Sequence, residues 1–311
     1  MCGRYAASRN LDELVEEFDV EVPPVKRLEP DYNVAPTKPV YAVLTRSGGS
    51  GEESGRVGGP GRVGGPGRGA GPGRGAGPGP EAGRGAGPGG PGPGAGPEEG
   101  SRAERPRRRL QVLRWGLVPS WAKDPSIGSR LVNARVETAA QKPSFRAAFA
   151  RRRCLLPADG YYEWYTPLER PGVPRDSKRK PGKQPFFIRP RGGGVLAMAG
   201  LYELWRDRTR AQDDPDAWLW TCTILTTEAA DGLGRIHDRM PLLVEPDRYA
   251  EWLDPQLNDP ADVRDLLVPA APGLLEAFPV STLVNSVRNN GAGLVEPIAP
   301  ETSAVPGLAV P

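Results

Sequence analysis

Residues 48–100 cannot contribute to a hydrophobic core, and that fact sets the architecture available to the rest of the chain. From Ala42 to Arg114 there is no aromatic residue, and the segment is built from Gly, Pro, Ala and Arg. It carries hexads: Gly55–Pro60 and Gly61–Pro66 read GRVGGP, while Gly67–Pro72, Gly73–Pro78 and Gly83–Pro88 read GRGAGP. A collagen-like reading fails because glycine at every third position is broken at Ala70. Such a composition buries too little apolar surface to offset its ordering entropy, so residues 47–109 are expected to be a disordered insertion. The flanks then have to fold together as one unit, because closing a long loop costs little extra entropy per doubling of its length.

Val40–Thr45 reads as a strand entering the insertion and Leu110–Leu117 as one leaving it, so the insertion is expected to interrupt a hairpin. Further strands are expected at Arg153–Pro157, Tyr161–Tyr165, Pro185–Ile188, Val195–Leu204, Leu219–Thr226, Pro241–Val244 and Phe278–Thr282. Asn10 to Glu13 resembles a capping box, and Leu11, Leu14, Val15 and Phe18 fall on one helical face. Short helices fit Ser144–Arg151, Pro246–Leu253 and Ala261–Leu267. Many strands joined by short turns, with few helices between them, predict an α+β domain with mainly antiparallel sheets rather than a βαβ repeat.

Composition narrows the function classes. No apolar run is long enough for a transmembrane helix, and the first twenty residues are polar and acidic, unlike a secretory signal. The three cysteines, Cys2, Cys154 and Cys222, are far apart with no C-x-x-C pair. This argues against a metal site or disulfide framework and for a reducing, cytoplasmic setting; Cys154 and Cys222 lie in apolar runs and read as inert core residues. The formal charge is +3, but Gly48–Arg109 holds 10 Arg and 6 Glu, leaving −1 for the rest. A general nucleic-acid binder is disfavoured, and any such binding must rest on a local patch.

Five segments carry chemistry. If Met1 is removed, Cys2 presents an α-amine and a thiol on adjacent carbons, a pair that suits capture of an aldehyde or attack on an acyl group. The plainer alternative is an exposed thiol on a frayed terminus, and these residues alone favour it. Asn133 follows an apolar pair in Leu131–Thr138. Glu163 sits among aromatics in Asp159–Trp164, where desolvation would raise its pKa into the range of a general acid/base; the alternative is an outward-facing strand glutamate. His237, the only histidine, lies in a polar loop and is as readily structural as catalytic. Trp115 and Trp121 flank a Gly/Pro turn, open to core packing or to base stacking.

Together, Met1–Tyr5, Tyr32–Thr37, Trp115–Trp121, Asn133–Thr138, Gly160–Trp164 and Ile236–Pro241 stand in the order of the SOS-response-associated peptidase (SRAP) family, which the chain resembles from Cys2 to about Glu296. The resemblance implies a single barrel-like SRAP-type domain over residues 2–300, mainly antiparallel twisted sheets with a few short flanking helices. It implies abasic-site processing: the new N-terminal Cys2 crosslinks to a ring-opened abasic site in single-stranded DNA through a thiazolidine, shielding the lesion, with self-processing peptidase and lyase-like activity. By position, Asn133 orients the terminal residue, Glu163 shuttles protons, and His237 assists sugar ring opening and reversal. Arg4, Arg135 and Arg239 resemble phosphate contacts. Asn33, Pro36 and Thr226 resemble pocket residues, and Trp164 and Trp121 resemble DNA contacts, the latter as a wedge. Ala122 stands where some members have a second large aromatic. No cofactor or metal is implied; the partner is single-stranded DNA bearing abasic sites, not a membrane, and the protein is expected to act as a monomer associated with the nucleoid when bound to DNA. Two alternatives remain at this level: an N-terminal-nucleophile amidase or peptidase with other substrates, and a non-covalent reader of modified bases.

Overall fold

The computed structural model describes residues 2–47, 105–166, 183–211 and 213–298. The greater part of the expected disordered insertion lies outside the described residues. In chain order the elements are β1 (Tyr5–Ala7), α1 (Leu11–Glu17), β2 (Asp31–Val34), β3 (Pro39–Ser47), β4 (Pro106–Trp115), β5 (Asn133–Arg135), α2 (Val136–Ala139), α3 (Arg146–Arg151), β6 (Arg153–Ala158), β7 (Gly160–Tyr165), β8 (Gln184–Pro190), β9 (Leu196–Arg206), β10 (Trp218–Glu228), β11 (Arg239–Pro241), α4 (Tyr249–Trp252), α5 (Pro260–Asp265) and β12 (Leu275–Pro279).

The strands form two sheets. One is antiparallel with order β12-β8-β7-β1-β2. The other runs β11-β10-β4-β3-β6-β9, and β9 pairs back onto β10, so five strands close on themselves as a barrel. Pairing is antiparallel except where β10 meets β4 and β5. The hairpin expected around the insertion is present, with β3 and β4 in register from Pro39 opposite Arg114 to Ser47 opposite Pro106. Its arms are longer than the sequence suggested: Pro106–Arg109, read as the end of the insertion, are strand, because Arg107, Arg108 and Arg109 lie opposite Arg46, Thr45 and Leu44.

Alternation along β3 decides how the layers pack. Val40, Ala42 and Leu44 join a core with Cys2, Tyr5, Tyr161 and Ile188 of the antiparallel sheet, while Val43 turns to the opposite side. There it meets Leu11, Leu14, Phe18, Phe149 and Trp252, the apolar faces of the short helices. α1 begins as expected: the Glu13 N–H donates to Asn10 Oδ1 at 2.9 Å, satisfying an otherwise orphaned helix donor.

Two strands are displaced from the sequence reading. The segment read as Pro241–Val244 is strand only at Arg239–Pro241. Leu242 accepts from Ala199 and donates to Leu225, so the chain crosses here from β10 to β9. The last strand is Leu275–Pro279 rather than Phe278–Thr282, since Ser281 caps a 3-10 turn at Thr282–Asn285. The short strands β1, β2 and β5 were not read from the sequence. Each is three or four residues long and gains its conformation from pairing with a longer neighbour. Among the described residues no helix is long and apolar enough to cross a membrane.

Candidate active site

The site is built on the start of the chain. β1 is an interior strand, with Tyr5 opposite both Val34 of β2 and Tyr161 of β7. The Tyr162 N–H donates to the Arg4 carbonyl at 2.9 Å, fixing the chain one residue beyond Gly3. Cys2 is carried into the core and is fully buried. The frayed terminus considered from the sequence is therefore not what forms. Its carbonyl accepts a hydrogen bond from Asn133 Nδ2 at 2.7 Å. Asn133 reaches it because β5 lies parallel to β10 with Asn133 opposite Ile224, a residue of the same core as Cys2.

Burial sets the protonation states. It pushes the Cys2 thiol far above the ordinary thiol range, and the nearby Glu163 charge adds to this. The thiol is thus protonated at rest, where the sequence alone had suggested a readily activated nucleophile. Glu163 is buried, with 4% of its surface exposed, and desolvation raises its carboxyl to about 7 against the opposing positive charge of the chain's amino terminus. That value suits an acid that becomes a base near neutral pH. The outward-facing alternative for Glu163 is excluded by its burial.

His237 is partly exposed, and burial lowers its pKa. The Arg239 N–H donates to His237 Nδ1 at 3.0 Å, which leaves the proton of the neutral ring on Nε2. Asp238 Oδ1 lies 2.9 Å from the same Nδ1, so the protonated ring has a carboxylate to meet. The charge of the amino terminus bears on Cys2, Glu163 and His237 alike, which places the three in one electrostatic neighbourhood. Lys183, exposed at the entry to β8, bears on both Glu163 and His237. Sequence reading missed it, since a lone lysine before a strand has no signature.

The remaining residues divide into surface and support. Arg135 ends β5 exposed, opposite Thr226. Trp121 is 57% exposed, whereas Trp115 is fully buried and meets Tyr5 edge-on at 5.2 Å, so only the first is available for stacking. The turn between them depends on two glycines: a Cβ on Gly116 would lie 2.6 Å from the Gly128 carbonyl oxygen, and one on Gly128 would lie 2.5 Å from that of Gly116. Gly116 also has φ +123, a conformation that disfavours a side chain. Trp205 Nε1 donates to the Ala122 carbonyl at 2.7 Å and pins the far end of the turn.

Arg4 is held rather than free. Its Nη1 donates to Asn33 Oδ1 at 2.7 Å and to the Val284 carbonyl at 2.9 Å, and its guanidinium lies 5.8 Å from the Trp164 ring centroid. Trp164 Nε1 in turn donates to Asn285 Oδ1 at 2.6 Å. Asn33 is fully buried, and its Nδ2 donates to the carbonyls of Ser286 and Asn289, both at 2.9 Å. Its side chain is thus occupied in joining β2, Arg4 and the segment 284–289, and it supports the surface instead of forming it. Pro36 is half-buried and precedes Thr37, a β-branched residue at φ +74. Arg239 is also internal: Nη1 and Nη2 meet Glu137 at 2.7 and 3.0 Å, and Nη2 also donates to the Thr226 carbonyl. Thr226 is buried, and its Oγ1 has no hydrogen-bond partner. Cys154 and Cys222 are fully buried core residues. Among the described residues no group of three His, Cys, Asp or Glu side chains is gathered to hold a metal ion.

The family model described as SOS response associated peptidase (SRAP) matches residues 1–287. The abasic site processing protein YoaM of Bacillus subtilis is 33% identical over 297 residues, covering 95% of this chain and 98% of its own. The abasic site processing protein HMCES of Gallus gallus is 34% identical over 219 residues, covering 63% and 60%. The abasic site processing protein YedK of Escherichia coli K12 is 33% identical over 189 residues, covering 59% and 73%. Among solved structures, a protein of Bordetella bronchiseptica superimposes with a TM-score of 0.55 at 21% identity, covering 90% of this chain and all of the other, a likeness of fold.

Proposed function

The chain belongs to the SOS response associated peptidase family, and on that premise we propose that it processes abasic sites in DNA by covalent capture on Cys2. The observation that carries the reading is the burial of Cys2 with its carbonyl held by Asn133, in the neighbourhood of a carboxyl poised near neutrality.

The chemistry follows from the protonation states. Self-processing cuts the Met1–Cys2 bond and frees the α-amine. The amine nitrogen attacks the aldehyde carbon of a ring-opened abasic sugar, and the carbonyl oxygen becomes a hydroxyl. Glu163 in its acid form protonates that hydroxyl, water leaves, and a protonated imine remains. Glu163, now ionised, takes the proton of the Cys2 thiol as sulfur adds to the imine carbon. The electron pair of the C=N bond moves onto nitrogen, which keeps its proton, and the thiazolidine closes with Glu163 back in its acid form. A thiol held protonated by burial needs such a base, and a carboxyl near 7 can serve in both directions. His237, with its proton on Nε2, assists opening of the sugar ring and the reverse reaction.

Arg4, Arg135 and Lys183 meet phosphates, and Trp121 stacks where the strand enters, favouring single-stranded DNA. Arg239, Thr226, Pro36 and Asn33 act from behind this surface. The protein works as a monomer, one molecule per lesion.

The test is denaturing gel electrophoresis after mixing with a single-stranded oligonucleotide carrying one abasic site, with an intact-mass spectrum of the protein alongside. The reading expects a denaturation-resistant band without borohydride, absent in Cys2→Ala. No band from protein shown to lack Met1 would sink it.

A further inference from the structure

The chemistry proposed at Cys2 calls for one further group. An amine attacking an aldehyde drives negative charge onto the carbonyl oxygen, and a dry site must offer that oxygen a hydrogen-bond donor. Asn133 is committed to orienting Cys2: one Nδ2 N–H donates to the Cys2 carbonyl, and Oδ1, buried and without a partner, only accepts, so a donor beside its second N–H would serve the oxygen.

Tyr161 has the missing property. It lies on β7 two residues before Glu163, on the same side of the strand, and directly opposite Tyr5 of the N-terminal strand. Its ring belongs to the same core as Cys2. The side chain is 1% exposed, yet its hydroxyl has no hydrogen-bond partner. A buried, unsatisfied hydroxyl is destabilising, and phenylalanine would fill the same space without that cost. Burial and the charges of Cys2 and Glu163 all raise the phenol's pKa, which keeps it a neutral donor and places it within electrostatic reach of both groups.

Resting on the covalent-capture reading, we propose that Tyr161 is a further catalytic residue, whose hydroxyl donates a hydrogen bond to the aldehyde oxygen as the Cys2 amine attacks. The phenol keeps its proton. The bond formed is N–C, the π pair of the carbonyl moves onto oxygen, and the proton that oxygen takes up comes from the attacking amine by way of Glu163.

The experiment compares wild type with Tyr161→Phe in three readouts: crosslinking to the abasic oligonucleotide, uptake of glycolaldehyde at Cys2 followed by intact mass, and thermal unfolding. Expected are capture rates about tenfold slower with both aldehydes, as loss of one hydrogen bond implies, together with an unchanged or higher melting temperature. Equal rates in the two proteins would overturn the proposal. Slower capture accompanied by a lower melting temperature would also overturn it, since that marks a packing role. Wild type that takes up glycolaldehyde but not the abasic site would sink the abasic-site reading, while the Tyr161→Phe rate on glycolaldehyde would still decide this one. Wild type inert to both would overturn both.

Discussion

The amide of Asn133 donates to the carbonyl of Cys2 at 2.7 Å across 131 residues of sequence. This single bond ties the reactive end of the chain to β5, and through β5 to β10, the strand that closes the barrel. Asn133→Ala would leave a buried carbonyl without its donor, a loss of about 1 kcal/mol or more in holding Cys2. Crosslink formation should slow roughly five- to tenfold, with single-stranded DNA affinity little changed. Rapid-quench crosslinking beside fluorescence anisotropy measures both.

Glu163 carries a stability cost that depends on pH. Its folded pKa of about 7 lies above the ordinary 4.5. Between these values the folded protein binds a proton the unfolded chain has lost, so stability falls as pH rises through the window. Above pH 7 the buried ionised form costs on the order of 3 kcal/mol. Glu163→Gln should therefore raise the melting temperature at pH 8 and leave it nearly unchanged at pH 4. The same variant should slow crosslinking at every pH. Calorimetry at the two pH values checks the first expectation.

Asn33 supports Arg4 and the segment 284–289 from inside. Asn33→Ala removes the donor shared by the part-buried carbonyls of Ser286 and Asn289 and should cost about 1–2 kcal/mol. It should also release Arg4 and weaken DNA binding severalfold. Hydrogen exchange would show residues 284–289 losing protection first, whereas protection unchanged there would contradict the support role.

Glu137 is bonded twice to Arg239, whose side chain is only 8% exposed. Arg239 holds the carboxyl of Glu137 below the ordinary glutamate range. The resulting stability is present above that range and is lost as pH falls through the depressed folded value. Glu137→Gln should destabilise by no more than about 1 kcal/mol at pH 7, because the half-exposed carboxylate is screened by solvent, and by less in strong acid. Urea unfolding at pH 7 and pH 3 tests the difference.

Thr37 holds φ +74 beside Pro36, a conformation costly for a β-branched residue. Its N–H donates to the Trp115 carbonyl at 2.8 Å, which keeps it there. Thr37→Gly should stabilise the fold by about 1 kcal/mol, read as a shift in the urea midpoint.

Several residues were legible because their neighbours in sequence form their surroundings in space. The aromatic strand Gly160–Tyr165 announces that Glu163 is desolvated, and the structure buries it with a raised pKa. The capping residue Asn10 and the hairpin strands β3 and β4 are local features of the same kind. The bonding of Arg239, read as a phosphate contact, and of Asn33, read as a pocket residue, was not legible, because what engages them, Glu137 in one case and Ser286 and Asn289 in the other, lies 102 or more residues away. Tyr161 and Tyr162 are adjacent aromatics in sequence, and only the pleat sends one toward Cys2 and the other toward Phe187 and Phe278.

What the sequence by itself determined is the set of reactive groups and the class of fold. An amine and a thiol can share one residue only at a chain terminus, and alternating apolar strands with few helices between them can bury their faces only as packed antiparallel sheets. What only the tertiary structure decided is the state of those groups. Burial of Cys2 and Glu163 moved both pKa values upward, and pairing across distant strands chose which arginines are exposed and which are bound. Desolvation and ion pairing depend on neighbours within a few ångströms, and for this site those neighbours come from β1, β5, β7 and the loop before β11, which only the folded chain brings together.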